Sequence, residues 1–188
     1  TINGTNDAAV ISAGTGAVTE DVGVVGANIA TGGTLTVTDI DSGQASFQAQ
    51  ASTVGTYGTF TLAANGAWTY TASNANPAIQ ALGAGQTLTE TFTVTSADGT
   101  TSSVVVTING TNDAAVISAG TGSVTEDVGV VGGNIATGGT LTVTDVDAGQ
   151  ASFQAQASTS GTYGIFTLGT NGVWTYTALN SNPAVQAL

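Results

Sequence analysis

Residues 58–72 read GTFTLAANGAWTYTA, two short runs in which every second residue is large and apolar: Phe60 and Leu62 in the first, Trp68 and Tyr70 in the second. A strand turns successive side chains to opposite faces, so each run has one apolar face and one face of threonines. Branching at Cβ suits threonine to the half-solvated side of a sheet. Between the runs stands Asn65-Gly66, a dipeptide that readily takes the positive φ of a tight hairpin turn. The stretch reads as a β-hairpin with one buried face. Trp68 and Tyr70 are its anchors, core residues rather than a sugar-stacking platform, with the Tyr70 hydroxyl expected to find a partner at the edge of the core.

The same alternation continues outward. Leu35 and Val37 alternate in TLTVTD, Phe92 and Val94 in TETFTVT, and Val104, Val106 and Ile108 in the run that follows Asp98-Gly99, a second hairpin dipeptide. Asp98 reads as turn chemistry, and Glu90 as a solvent-facing strand residue. Only Asn76-Pro77-Ala78-Ile79-Gln80-Ala81-Leu82 breaks the rhythm; Pro77 at a first helical position predicts a single helical turn capping the end of the structure. About seven short strands in roughly 100 residues predict an all-β fold, an antiparallel β-sandwich of the immunoglobulin-like or cadherin-like Greek-key type.

That sandwich occurs in tandem. Thr1–Leu82 aligns without gaps onto Thr107–Leu188 at an offset of 106 residues, and 70 of the 82 positions are identical. A period of that length is too long for a solenoid repeat and suits an independent domain. The joint reads as Asn3-Gly4-Thr5-Asn6-Asp7, recurring as Asn109-Gly110-Thr111-Asn112-Asp113. The Asn-x-Thr pattern there is read as a turn, not a glycosylation site. Residues 1–110 form one complete repeat. Residues 111–188 form a second copy that lacks counterparts of Gly83 to Val106, so its sheet is expected to be incomplete unless another chain supplies the strands.

Composition narrows the function. The chain of 188 residues is 41% hydrophobic, with mean hydropathy +0.26, so it can bury a core and is not expected to be disordered. It holds 12 acidic residues and no Lys, Arg or His, for a formal charge of −12. Nucleic acid and anionic lipid are excluded as partners by sign. No apolar run reaches the roughly 20 residues that cross a bilayer. Without Cys there is no disulfide and no thiolate metal site. An enzyme would have to work with paired carboxylates alone, each in an apolar cleft that raises its pKa, and no such arrangement is legible.

Clustered carboxylates without internal cations call for a cation from solution, and an all-oxygen donor set suits Ca²⁺. The candidates are Asn6 and Asp7 in the joint, Glu20-Asp21 in VTEDVG, and Asp39 with Asp41 at a strand end, recurring as Asn112, Asp113, Glu126, Asp127, Asp145 and Asp147. Two aspartates one residue apart can point the same way, and the joint, if it passes that pole, would add oxygens from Asn and Asp. A solvated turn is the competing reading of Asp39 and Asp41, and an acidic loop that of Glu20-Asp21.

Longer motifs then become specific. GTNDAAVIS, TEDVGVVGGNIATGGTLTVTDVDAGQ, GTYGIFTL, NGVWTYT, NPAVQAL, GQTLTETFTVTSADGTT and the return to INGTNDA resemble the VCBS repeat, which is similar in layout to cadherin-like domains. The resemblance covers essentially the whole chain. It implies a large secreted or surface-attached bacterial protein, of the kind exported by type I secretion and often a biofilm adhesin. The glycine-rich calcium nonapeptide of RTX proteins is absent from the chain. The resemblance also implies calcium between domains, held by an acidic linker, a D-x-D pair and a glutamate; by motif type these match Asn112-Asp113, Asp145 with Asp147, and Glu20 or Glu126. Which pole Glu20 serves is left open by the sequence. The usual joint has Pro after N-D-A, where this chain has Ala9 and Ala115, which predicts a less stiff joint. The expected role is a structural extender with neighbouring repeats of the same polypeptide as partners. The alternative is a module that itself binds surface glycan or another copy of the chain.

Overall fold

The computed structural model describes residues Thr1–Leu188, which divide by internal contacts into two units, Thr1–Asn112 and Asp113–Leu188. In the first, the chain forms β1 (Val10–Ile11), β2 (Gly14–Thr19), β3 (Asn28–Thr34), β4 (Val37–Thr38), β5 (Gln50–Val54), β6 (Gly58–Leu62), β7 (Ala67–Ser73), the single turn α1 (Pro77–Gln80), β8 (Thr87–Thr95) and β9 (Thr101–Asn109). A four-stranded sheet in the order β3-β7-β6-β5 faces a three-stranded sheet in the order β2-β9-β8, and β1 pairs with β4.

Alternation decides what lies between the sheets. On β7 Trp68, Tyr70 and Ala72 are buried while Thr69 and Thr71 are exposed. On β6 Phe60 and Leu62 are buried. They meet Phe92 and Val94 of β8 and Val104, Val106 and Ile108 of β9 in one core. The Phe60 and Phe92 rings stack with centroids 4.8 Å apart, a contact across the sandwich. Both expected hairpins form, β6–β7 around Asn65-Gly66 with Gly66 at φ +86° and β8–β9 around Asp98-Gly99 with Gly99 at φ +94°. Asn76 caps α1, its side chain accepting from the Ala78 N–H, and Ile79 is driven fully into the core.

The all-β sandwich forms as expected, with one pairing that departs from the antiparallel pattern, and two further expectations are corrected. The sandwich is not wholly antiparallel, because β2 runs parallel to β9 from Gly14↔Val104 to Thr19↔Asn109. The connection between those two strands crosses the whole unit, so nothing forces the hairpin orientation on them. The close approach is made possible by glycine. A Cβ on Gly14 would stand 2.8 Å from Leu35 and 2.9 Å from Val104, and one on Gly16 2.7 Å from Trp68.

Glu90, expected to face solvent, is buried at 7% exposure. It shares the phase of Leu88, Phe92 and Val94 along β8, so the alternation that points threonines outward points Glu90 in. Nor does the Tyr70 hydroxyl reach an edge. Tyr70 is fully enclosed and donates to Glu90 Oε2 inside the sandwich.

The second unit contains β10 (Val116–Ile117), β11 (Asn134–Thr140), β12 (Val143–Thr144), β13 (Gln156–Ser160), β14 (Gly164–Leu168), β15 (Val173–Leu179) and the turn α2 (Pro183–Gln186). Its four-stranded sheet, β11-β15-β14-β13, repeats the first register for register, from Asn134↔Leu179 to Thr140↔Val173. There is no three-stranded sheet. Residues 120–125, GTGSVT, match GTGAVT of β2, yet they take no strand pairing. A nearly identical segment is a strand only where β9 lies beside it, which places the cause in tertiary context and not in local propensity.

Candidate metal centre

Asp39 and Asp41 stand just past the end of β4, the D-x-D at a strand end that the sequence suggested. The Asp41 N–H donates to Asp39 Oδ1 at 2.8 Å, and the Asp7 N–H donates to Asp41 Oδ2 at 2.7 Å. The joint therefore does pass the same pole as the pair. The second unit repeats the arrangement: the Asp147 N–H donates to Asp145 Oδ1 at 2.9 Å, and the Asp113 N–H to Asp147 Oδ2 at 3.0 Å. Gln150 adds an amide donor to Asp147 Oδ2. Asp147 is 2% exposed, whereas its counterpart Asp41 is only half-buried.

Each pole keeps a carboxylate oxygen without a hydrogen bond, Asp39 Oδ2 in the first unit and Asp147 Oδ1 in the second, both buried. A buried anionic oxygen left without a donor is costly, and a chain with no Lys, Arg or His has no side-chain cation to offer it. The oxygen-only donor set is the chemistry that hard divalent cations accept. Asn6 and Asn112 are exposed, and no three carboxylates converge into a finished metal shell.

Glu20 lies elsewhere. It follows the end of β2, fully buried, its N–H donating to the Asn109 carbonyl and its Oε1 accepting from the Thr111 N–H at 2.7 Å. The six residues of β2 span roughly 20 Å at strand rise, which separates Glu20 from Asp39 and Asp41. Within the first unit the D-x-D stands by the chain's entry at Asp7, and Glu20 by its exit at Thr111. Glu126 is half-buried in the second unit, with its Oε2 enclosed and without a hydrogen bond.

Asp21 and Asp127 serve another purpose. Both hold a left-handed backbone, φ +58° and +59°. The Asp21 N–H donates to Asn74 Oδ1, the Asn74 amide donates back to Asp21 Oδ1 at 2.6 Å, and Gln80 gives that same oxygen a second amide. Asp127 repeats this clamp with Asn180 and Gln186. Each aspartate thereby ties the loop after Glu20 or Glu126 to the helical turn.

Two functional carboxylates were missed as such. Glu90 accepts from the Tyr70 hydroxyl, from the Thr56 N–H and, at 3.0 Å, from the Tyr57 N–H, pinning the β5–β6 turn and β7 to β8. Burial, and then the Glu90 carboxylate, push the Tyr70 phenol far above its ordinary range. Asp98 reaches beyond its own turn to accept the Ala9 N–H at 3.0 Å. A proline at position 9 would have no N–H to give, so alanine in the joint allows a tether to the β8–β9 hairpin.

Hydrogen bonds from the Ser96 and Thr100 hydroxyls, and then from Ala9, hold the Asp98 carboxyl well below the usual carboxylate range. A depressed folded pKa contributes stability that is present above the unfolded value, about 4, and is lost as pH falls through the folded one. Asp98→Asn is expected to flatten the acid limb of the pH–stability curve below about pH 4, read as urea midpoints across the titration.

A two-sheet sandwich with a D-x-D pole, entered by an Asn-Asp joint and left beside a buried glutamate, defines a cadherin-like β-sandwich repeat. A sequence profile of the bacterial cadherin-like domain matches residues 6–110 and again 112–187. The chain belongs to the bacterial cadherin-like domain family. No curated protein matches it. Domains of this class are typically extracellular structural or adhesive repeats and not enzymes, and no helix of the chain is long and apolar enough to cross a membrane.

Proposed function

We propose that the chain is a stalk segment of a large secreted or cell-surface bacterial adhesin of the VCBS type, stiffened at its joints by calcium. The observation that carries this reading is Asp147, an aspartate 2% exposed whose Oδ1 is buried without a hydrogen bond and whose Oδ2 holds the joint at Asp113. Asp145 and Asp147 would hold the ion with oxygens from Asp113, whose N–H already closes onto Asp147. The ion would supply the positive charge that the side chains lack, so it would hold the joint and cancel repulsion among the carboxylates. Low calcium before export would disfavour folding, and calcium outside the cell would stabilise the native state by mass action.

Calcium titration of the full chain, followed by thermal melting, tests this. Binding at a hundredfold excess over Kd is expected to add about 2.7 kcal/mol of stability, reversed by chelator and absent from the Asp145→Ala, Asp147→Ala variant. A melting temperature indifferent to calcium and chelator would sink the proposal. Trp68 is 3% exposed and Tyr70 fully enclosed, so no observation favours a glycan-stacking platform at those rings.

A further inference from the structure

We infer that the parallel β2–β9 pairing is a shear clamp that bears tension along the chain, with the buried Glu20 locking its exit end. The tension is that of the proposed stalk role, on which the inference rests. In the parallel register Gly14 lies opposite Val104 and Thr19 opposite Asn109. The chain enters the clamp at Gly14 and leaves it at Asn109. The two points where tension arrives therefore sit at opposite ends of the ladder, about 17 Å apart at strand rise. Tension runs along the strands and across their hydrogen bonds, which in a parallel ladder are evenly spaced and share the load. Had β2 been antiparallel to β9, both points would lie at one end, and the bonds would open one at a time.

The flanking contacts direct the load onto this ladder. Upstream, β1 holds β4 by two residue pairs, with single hydrogen bonds from the Asp7 and Ala9 N–H groups beside them. This weaker set gives way first and passes the tension to Gly14. On its other side β9 is fixed to β8 by nine pairs, from Thr87↔Asn109 to Thr95↔Thr101, so separation has to occur at β2.

The exit end is reinforced. The Glu20 N–H donates to the Asn109 carbonyl at 3.0 Å, and the Asn109 side-chain amide donates to the Val18 carbonyl at 3.1 Å. Glu20 Oε1 accepts the Thr111 N–H at 2.7 Å, beyond the end of β9, so the bonded set reaches past the last ladder pair towards the incoming tension. Glu20 is fully buried, and water cannot take over that bond without opening the structure.

The chain has no cysteine, so introduced ones are the only attachment points for single-molecule pulling. Thr1→Cys with Ala114→Cys applies tension through opposite ends of the ladder. Thr1→Cys with Ala97→Cys applies it at Gly14 and, through the β8–β9 hairpin, at the Val104 end, which peels β2 away. Thr1, Ala97 and Ala114 are exposed. Both pulls enter past the same D-x-D pole, so a bound cation contributes to each alike. Forced unfolding reports the unfolding barrier and not the equilibrium stability. The first pull is expected to need at least about twice the force of the second, because the residue pairs part together instead of singly. Residues 14–109 should then lengthen the chain by roughly 300 Å, at about 3.3 Å for each residue.

Glu20→Ala is expected to lower the force of the first pull and leave that of the second unchanged, because peeling starts at Gly14 and meets Glu20 last. Equal forces in the two directions would overturn the clamp, and a Glu20→Ala loss of the same size in both would overturn the part given to Glu20. Should Glu20→Ala fail to fold, Thr111→Pro removes the N–H while keeping the carboxylate, and the same two outcomes decide. Equal forces would leave the calcium-stiffened joint to its own melting test, just as a chain indifferent to calcium would leave the clamp standing.

Discussion

Glu90→Ala is expected to lower the stability of the first unit by about 3 kcal/mol or more, the cost of leaving several buried donors without an acceptor. The Tyr70 hydroxyl, the Thr56 N–H and the Tyr57 N–H all end on that one carboxylate. Tyr70 is enclosed, so water cannot replace the lost acceptor without opening the core. The loss would appear as a lower urea midpoint for the transition of Thr1–Asn112. Pairing it with Tyr70→Phe separates two meanings. If Glu90 acts as the acceptor, the double variant costs less than the sum of the singles, because Phe has no hydroxyl to strand. Strict additivity would mean that Glu90 contributes by filling space.

Phe60→Ala should cost about 3–5 kcal/mol, and Phe166→Ala about 1 kcal/mol, although the two phenylalanines occupy equivalent places in the repeat. Phe60 is fully buried, stacked at 4.8 Å on Phe92 and at 5.9 Å on Trp68, so its removal leaves a cavity that rigid sheets on both sides cannot close. Phe166 keeps the tryptophan contact, at 6.0 Å to Trp174, but is only half-buried. Separate melting transitions for the two units provide the measurement. Equal losses would mean that Phe166 is enclosed in solution as fully as Phe60.

How far the fold could be read from the chain depended on how local the signal was. The β6–β7 hairpin rests on Phe60, Leu62, Asn65-Gly66, Trp68 and Tyr70, all within a dozen or so residues, and it forms as expected. Pro77 and Asn76 placed α1 by the same local logic of first-turn geometry and capping. Glu90 was misread although its signal was present: the alternation of TLTETFTVT gives it the phase of Leu88, Phe92 and Val94, but its charge argued for solvent. The phase prevailed because an acceptor-hungry phenol and two turn amides lie opposite, none of them near in sequence. The D-x-D pole was legible as a pattern. That the Asp7 and Asp113 amides close onto Asp41 and Asp147 depends on where β1 and β10 enter, and pairing with β4 and β12 sets that.

Periodicity, turn dipeptides and a charge inventory without a single cation determined, by themselves, an all-β tandem chain whose carboxylates, Glu90 apart, gather at strand ends and turns. Such properties depend on composition and on neighbours a few residues apart. The parallel β2–β9 pairing, the burial of Glu90 and the separation of Glu20 from the D-x-D pole were decided only in the tertiary structure. Each joins segments about 30 to 90 residues apart, and the clearest case is the GTGAVT segment. It is a strand in one unit and its near-copy is not in the other, because a strand's hydrogen bonds belong to its partner as much as to itself.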